Sequence, residues 1–291
     1  MVSWKFETII PSTAADVFAA AVETLCPAVA SFEIPGSTLW RVEGYALDMP
    51  QHAEATVAMA IAAARAGITE PNFTCVPLPD SDWVADNQAS FQPLHVGRYF
   101  VKPSHFARMP PHGAIVLAVD AGAAFGTGEH ATTKSCLLAL DGLAKRRRFR
   151  RPLDLGCGSG ILALAMAATW RCSVVAADID PQSIVVAQEN AAINGLSSWL
   201  RIRCSDGVAD REVRRFAPYD LIMANILAGP LVGLSHQLSN CLAPHGTLVL
   251  SGLLTAQENE VLNAYGRQGL SLWKRIVQEG WHTLILSRRC R

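Results

Sequence analysis

Three glycines, Gly156, Gly158 and Gly160, occupy alternate positions directly after an apolar stretch that predicts a β-strand. Glycine lets the backbone turn sharply and approach a ligand closely, and the third glycine lets the following helix pack tightly against the strand. A purely structural turn is the alternative, because a glycine loop alone is weak evidence for a site. The strand before this loop and the apolar helix after it favour a binding loop.

The spacing of the glycines argues against two common ligand sites. A dinucleotide site needs Gly-x-Gly-x-x-Gly, which would place the third glycine at position 161, where the chain has Ile161. A phosphate-binding P-loop needs Gly-Lys followed by Ser or Thr, which is missing. The pattern Asp-x-Gly-x-Gly-x-Gly resembles the first motif of class I methyltransferases. That resemblance implies that the loop holds the methionine end of S-adenosylmethionine, with Asp154 facing its amino group.

Acidic residues after the next two predicted strands extend the same site. Asp178 lies about 20 residues beyond the glycines, where an acid accepts two hydrogen bonds from a ribose diol. Helix capping is the alternative role for both nearby acids, and it suits Asp180, because Pro181 follows at the first helical position. Asp206, after the third strand, stands where class I methyltransferases contact adenine.

Asn225 ends a buried predicted strand and is the candidate catalytic residue. Ligands of an open parallel sheet lie beyond the carboxyl ends of its strands, so Asn225 should face the same crevice as Gly156 and Asp178. Many amino-methylating enzymes have Asn-Pro-Pro-aromatic here, whereas this chain has Asn-Ile-Leu-Ala-Gly-Pro. A stacking ring suits a planar target. Its absence favours an aliphatic amine as the methyl acceptor, with Asn225 accepting the amine hydrogens and His130 as a candidate proton acceptor.

A long polar loop, 125–133, precedes a predicted helix that Thr132 or Thr133 would cap. With this loop, residues 83–288 closely resemble the ribosomal protein L-eleven methyltransferase family, PrmA. The matching segments are 82–83, 124–128, 130, 132–133, 154–162, 178–181, 224–231 and 251–252. The resemblance implies cofactor contacts from Thr133, Gly156, Asp178 and Asn225. We assign cofactor binding also to Phe125, Gly126, Asp154, Gly158, Gly160 and Asp206.

The resemblance also implies an activity and a partner. Members of this family methylate lysine side chains and the N-terminal amine of ribosomal protein L-eleven, using S-adenosylmethionine. A fused N-terminal domain recognises that protein, which would be bound either free or on the large ribosomal subunit. The expected enzyme is therefore a protein-lysine N-methyltransferase.

The predicted elements that position these residues fall into two groups. Residues 1–80 show the order strand, helix, strand, strand, helix, strand, which is that of a ferredoxin-like α+β domain with one sheet face free. Residues 81–108 are predicted to be a linker with a short helix at 82–88. Residues 109–291 alternate strands and helices and end in a hairpin, which predicts the Rossmann-like α/β fold of class I methyltransferases, a seven-stranded sheet with an antiparallel last strand.

Composition narrows the other possibilities. The 25 basic and 25 acidic residues cancel, so no global field directs the chain to nucleic acid or a membrane. The eight cysteines lack zinc spacing, so we expect no metal site and reduced, buried thiols. No signal core or membrane-length apolar segment is present, which favours a cytoplasmic location without a membrane partner. We expect a monomer.

One charged segment, 145–151, has six basic residues in seven. A solvated connection is the favoured interpretation, and transient contact with ribosomal RNA is the alternative. An RNA methyltransferase would also fit this segment, but residues 38–46 lack the Lys/Arg-Gly-aromatic signature of RNA-recognition domains. A lysine methyltransferase with another protein target and a non-catalytic binding module remain open. The intact Asp154, Gly156, Asp178 and Asn225 argue against the latter.

Overall fold

The computed structural model describes residues 4–34, 36–78, 93–107, 109–120 and 130–288. The chain divides into two compact units, Met1–Trp83 and Val84–Arg291.

In its described residues, the first unit contains a four-stranded antiparallel sheet with two helices packed on one face. Its elements are β1 (Trp4–Pro11), α1 (Ala15–Glu23), β2 (Ala28–Glu33), β3 (Leu39–Ala46), α2 (His52–Ala66) and β4 (Phe73–Pro77). The strands lie in the order β2-β3-β1-β4, which confirms the ferredoxin-like prediction. Side chains alternate across a strand, so Phe6 and Ile10 of β1 enter a core with Phe18 and Met59 from the two helices.

The sequence predicted a linker at residues 81–108, but part of this range forms β-strands in the structure. Two short strands of the second unit, β5 (Leu94–Val96) and β6 (Tyr99–Lys102), form a three-stranded sheet with β7 (Ile115–Ala118), in which the central β6 pairs with both of the others. Strands of three or four residues are too short to show alternation in the sequence, so the prediction missed them. The helix predicted at 82–88 lies outside the described residues.

Seven further strands form the main sheet in the described part of the second unit. They are β8 (Pro152–Leu155), β9 (Val174–Asp178), β10 (Leu200–Cys204), β11 (Tyr219–Asn225), β12 (Leu242–Leu254), β13 (Leu270–Gln278) and β14 (Trp281–Arg288). The order is β10-β9-β8-β11-β12-β14-β13, with β8 to β12 parallel and β14 antiparallel to both of its neighbours. The predicted class I methyltransferase sheet is confirmed.

Helices cover both faces of this sheet. They are α3 (Ala131–Ala144), α4 (Ile161–Trp170), α5 (Pro181–Ile193), α6 (Arg211–Arg215), α7 (Ala228–Gly233), α8 (Ser235–Cys241) and α9 (Glu258–Gly266). Alternation along β11 sends Leu221 and Met223 into one core and Ile222 and Ala224 into the other. The sheet is therefore buried on both sides, which leaves the ends of its strands for ligands.

The basic segment 145–151 is more than a solvated connection. Its arginines are exposed, but the Arg147 guanidinium donates to the carbonyl of His245 at 2.8 Å. Arg148 donates to the carbonyl of Trp170, and Phe149 is buried in the core. The segment closes the end of the sheet where β8 begins.

Across the described residues, no helix has the length and apolar character that crossing a membrane requires. The same residues contain no group of three or more His, Cys, Asp and Glu side chains placed to hold a metal. The cysteines described are all free, and Cys204 is exposed rather than buried as predicted.

Candidate active site

The glycine loop joins β8 to α4 at the carboxyl end of the parallel strands. Gly156, Gly158 and Gly160 have φ values of 69°, 50° and 81°, a left-handed conformation that other residues rarely adopt. A Cβ atom on Gly156 would lie 2.2 Å from the Ile226 side chain, so the loop also needs glycine for close packing. The Gly156 amide donates to the carbonyl of Ala177 at 2.8 Å, which fixes the loop against β9.

Asp154 is completely buried beneath this loop. Its Oδ2 accepts the amide hydrogen of Ala163 at 2.8 Å, whereas its Oδ1 has no hydrogen-bond partner among the described residues. Burial raises the pKa of the Asp154 carboxyl to about 7, and the nearby Asp178 charge adds to this rise, although the Ala163 bond opposes it. A buried oxygen without a donor is unfavourable by about 1–3 kcal/mol, so a ligand that supplied a donor here would be stabilised.

Asp178 connects the glycine loop to the start of α5. Its Oδ2 accepts from the Gly158 amide at 2.8 Å, and its Oδ1 accepts from the Asp180 amide at 3.0 Å. The predicted cap is confirmed at Asp180, which accepts the amide hydrogens of Gln182 and Ser183, with Pro181 in the first turn. Each carboxylate oxygen has two lone pairs, so Asp178 keeps acceptor capacity for a diol.

Asn225 and Thr133 meet although they come from distant segments. The Asn225 Nδ2 lies 3.5 Å from the Thr133 Oγ1, at the carboxyl end of β11 and the first turn of α3. Thr133 is buried, and the Asn225 Oδ1 has no hydrogen-bond partner in the described part of the chain. The structure therefore leaves a buried carbonyl oxygen at the end of the central strand.

The predicted cap of α3 is wrong. Thr132 and Thr133 lie inside the helix, and His130 is the N-cap residue. The His130 Nδ1 accepts from the Thr132 amide at 3.4 Å and lies 2.8 Å from the Thr132 hydroxyl. Its ring also contacts Trp281 edge to face, with centroids 5.0 Å apart. A sequence search for Ser, Thr, Asp and Asn caps does not detect a histidine in this role.

Of the remaining residues predicted to contact the cofactor, the structure describes only Asp206. Asp206 is exposed just beyond β10, whose last residue, Cys204, pairs in register with Asp178. The intervening Ser205 donates its amide to the Asp178 carbonyl at 2.7 Å, which places Asp206 near the same strand ends. The other two predicted contacts, Phe125 and Gly126, lie outside the described residues.

Sequence reasoning missed Asn190, a buried residue of α5. Its Nδ2 donates to the carbonyls of Ser159 and Asp120 at 2.9 and 3.1 Å, and its Oδ1 accepts from the Asp120 amide at 2.9 Å. One turn later Asn194 holds the Ala118 amide and carbonyl in the same way. Asn190 thus joins the glycine loop to the residue that precedes segment 121–129. The available signal was two asparagines four positions apart, on one helix face.

The fold and these strand-end residues define a class I S-adenosylmethionine-dependent methyltransferase. The family described as ribosomal protein L11 methyltransferase (PrmA) matches residues 21–289. The chain belongs to this family, as its motifs indicated, and it is a protein methyltransferase.

Individual relatives agree. The chain is 42% identical over 211 residues to a ribosomal protein L11 methyltransferase of Caulobacter sp. (strain K31), covering 72% of this chain and 73% of that protein. The corresponding protein of Brucella abortus (strain S19) is 40% identical over 215 residues, covering 74% and 75%. A crystal structure of ribosomal protein L11 methylase from Lactobacillus delbrueckii subsp. bulgaricus matches with a TM-score of 0.63 and 29% identity, covering 69% of this chain and 100% of that one.

Proposed function

We propose that this chain methylates lysine side-chain amines, and the N-terminal amine, of ribosomal protein L11. The choice of ribosomal protein L11 as the substrate is supported by membership of a family described as ribosomal protein L11 methyltransferases. The choice of an amine as the reacting group rests on one observation: Asn225 Oδ1, at the end of β11, has no hydrogen-bond partner among the described residues, and an amine needs an acceptor for its hydrogens. We assign the reaction to the cytoplasm, with the protein substrate either free or on the large subunit.

The residues present fit S-adenosylmethionine. Asp154 Oδ1, which has no partner in the part of the chain that the structure describes, would accept from the ammonium group of the cofactor's methionine part. Asp178 would accept from the ribose hydroxyls through its second lone pairs. The left-handed Gly156, Gly158 and Gly160 would let the backbone approach the ligand closely. We assign the adenine side to Asp206 and further contacts to Thr133, Phe125 and Gly126.

When bound, the cofactor supplies an electrophilic sulfonium methyl group. The protein must then present a neutral amine in line with it. A free lysine has a pKa of about 10.4, so only about one amine in a few thousand is neutral at pH 7, and a water-poor crevice lowers that pKa. Asn225 would accept one amine hydrogen and direct the lone pair, and orientation of this kind contributes up to about 7–11 kcal/mol to catalysis. His130 is assigned to capping α3, where its Nδ1 engages Thr132.

Recognition of the protein substrate is assigned to the face of the first unit's sheet that lies opposite its helices. Glu43 is buried there among Lys5, Arg41 and Tyr45, with Lys5 Nζ at 2.8 Å and Arg41 Nε at 2.9 Å from its Oε1. The same face carries exposed apolar side chains on β1, β2 and β4, namely Ile9, Phe32 and Val76. This combination of apolar anchors and fixed charges suits a protein partner.

A pair of matched variants tests this recognition surface. Ile9→Glu with Val76→Glu should raise the KM for ribosomal protein L11 at least about tenfold without changing cofactor affinity, because charge is placed in a desolvated interface. The control is Val57→Glu with Ile61→Glu, which alters somewhat more exposed apolar positions on α2. Equal KM values for the two double variants would show that this sheet face does not bind ribosomal protein L11.

The decisive experiment for the function is intact-mass spectrometry of purified ribosomal protein L11 after incubation with the chain and S-adenosylmethionine. We expect the mass to rise in steps of one methylene group, with the modified sites at lysines and the N-terminal amine. Asn225→Ala should bind cofactor in calorimetry yet transfer methyl groups about 100-fold more slowly. Methyl incorporation into ribosomal RNA but not into the protein would contradict the proposal.

A further inference from the structure

The amino-terminal end of the main sheet, opposite to the candidate active site, carries an exposed group of arginines that we call the arginine surface. These residues flank the starts of β8, β9, β10 and β11. They are Arg147, Arg148, Arg150, Arg151, Arg171, Arg201, Arg214 and Arg215. Because parallel strands begin at the same edge of a sheet and lie about 4.8 Å apart, the arginines spread across about 14 Å of one edge.

Contacts between these segments make the surface continuous. The Arg151 guanidinium donates to the carbonyl of Phe216, and the Arg201 guanidinium lies 4.6 Å above the Phe216 ring. Arg148 donates to the carbonyl of Trp170, the residue before Arg171. Since backbone carbonyls already fix several guanidiniums, binding an anion there would restrict few additional rotamers.

The positive charge of this surface is poorly balanced. Among the described residues, two carboxylates contact these arginines: Asp220, which accepts the backbone amides of Arg150 and Arg151, and Glu212, which lies 3.6 Å from Arg215. These contacts set two negative charges against eight positive ones at one end of the sheet, in a chain whose formal net charge is zero. The acids of the candidate active site lie at the other ends of the same strands.

We propose that the arginine surface binds the phosphate backbone of RNA without sequence preference. A guanidinium matches a phosphate in a bidentate fashion and stays charged at every relevant pH, which suits this all-arginine composition. Binding at this edge leaves the opposite ends of the strands open to a protein substrate. The proposal does not depend on which amine is methylated.

The test uses the full chain and a fluorescently labelled RNA hairpin of unrelated sequence, with binding followed by anisotropy at several KCl concentrations. We expect affinity to fall steeply with salt, with a slope of about −3 to −6 in log K against log salt concentration. Arg150→Gln and Arg214→Gln together should weaken binding at least about fivefold and reduce the slope by about 1–2. The side chains of these two arginines donate no hydrogen bond to the described protein, so the fold should persist.

The control carries two charge-matched changes at exposed residues outside the surface, Arg65→Gln on α2 and Lys274→Gln on β13. It should bind RNA like the wild type. The proposal is overturned if wild-type protein fails to bind the hairpin at low salt, or if the arginine variant binds as tightly as the control. It is also overturned if the arginine variant loses only methylation of isolated ribosomal protein L11, since the surface would then contact protein.

Discussion

The side-chain amide of Asn225 lies 3.5 Å from the hydroxyl of Thr133, 92 residues away in the chain. This contact determines which end of the amide is available. If Nδ2 donates to the threonine hydroxyl, Oδ1 is left as the acceptor, and an incoming amine can donate to it. Thr133 thereby sets the orientation of the candidate catalytic group.

Replacing Thr133 by Val keeps the side-chain shape and removes the hydroxyl. The Asn225 amide then loses its partner and becomes free to rotate, so we expect the methyl-transfer rate at saturating cofactor to fall about tenfold, the equivalent of one hydrogen bond. Single-turnover kinetics with radiolabelled methyl groups measure this directly. Thr133→Ser should retain most of the activity, and a fully active valine variant would show that the contact does not orient Asn225.

Asn190→Asp tests the link between the glycine loop and residue 120. A carboxylate cannot donate to the carbonyls of Ser159 and Asp120, so we expect the free energy of unfolding to fall by about 2–4 kcal/mol and cofactor affinity to fall as well. Asn194→Asp is the matched control, because Asn194 holds Ala118 but not the glycine loop. It should lose stability while its cofactor Kd stays unchanged. Equal Kd values for the two variants would argue against the link.

Cofactor binding should depend on pH through Asp154. Burial raises the pKa of this carboxyl to about 7, so near neutral pH it is partly protonated in the free protein. A ligand ammonium favours the ionised form, and binding should therefore strengthen as pH rises from about 6 to 8 and release about half a proton at pH 7. Calorimetry in buffers of different ionisation enthalpy counts these protons. Asp154→Asn should release none, and identical proton release in both proteins would exclude Asp154 as the titrating group.

Asp154 also affects stability with a definite sign. Its pKa is raised in the folded state above the unfolded value of 3.8, so the folded chain binds more protons between these values. Its contribution to stability therefore decreases as pH rises from about 4 to about 7. Urea unfolding without cofactor across this range should show a steeper decline for the wild type than for Asp154→Asn.

Glu258 should show the opposite dependence on pH. Burial alone would raise the pKa of this carboxyl, but hydrogen bonds from Arg275 and His282 hold it below its ordinary value of 4.5. A lowered pKa stabilises the fold above about pH 4.5, and this stabilisation is lost as pH falls through the folded-state value. Glu258→Gln should cost about 2 kcal/mol at pH 7 and less at pH 4. Thermal unfolding of the wild type and the variant at both pH values tests this. If the difference in unfolding free energy were the same at pH 4 and pH 7, the loss of stability would come from packing rather than from the charge of Glu258.

The sequence predicted the elements whose signals are local. The glycine loop, Asp178, Asp180 and Asn225 all stand at the ends of apolar strands, and the pairing of those strands brought them together as expected. The cap at Asp180 could be predicted because all its partners lie within three residues.

The features that escaped prediction depend on long-range contacts. Asn190 forms hydrogen bonds to backbone atoms 31 and 70 positions away in the chain, and the residues next to it in the sequence do not indicate these contacts. Strands β5 to β7 are stabilised by pairing with one another rather than by their own alternation. The arginine surface joins segments from four strand starts, of which only 145–151 stands out as a charge run.

The structural role of Asp178 limits how this enzyme could be redesigned to use a cofactor with an altered nucleoside. Its carboxylate secures the Gly158 and Asp180 amides at once, so exchanging it for asparagine would loosen the loop and the following helix along with any sugar contact. A loss of activity in such a variant could not be assigned to the missing sugar contact alone, because the glycine loop and the helix would be disturbed as well. Engineering of nucleoside preference should keep this carboxylate and vary instead the exposed Asp206, which is assigned to the adenine side.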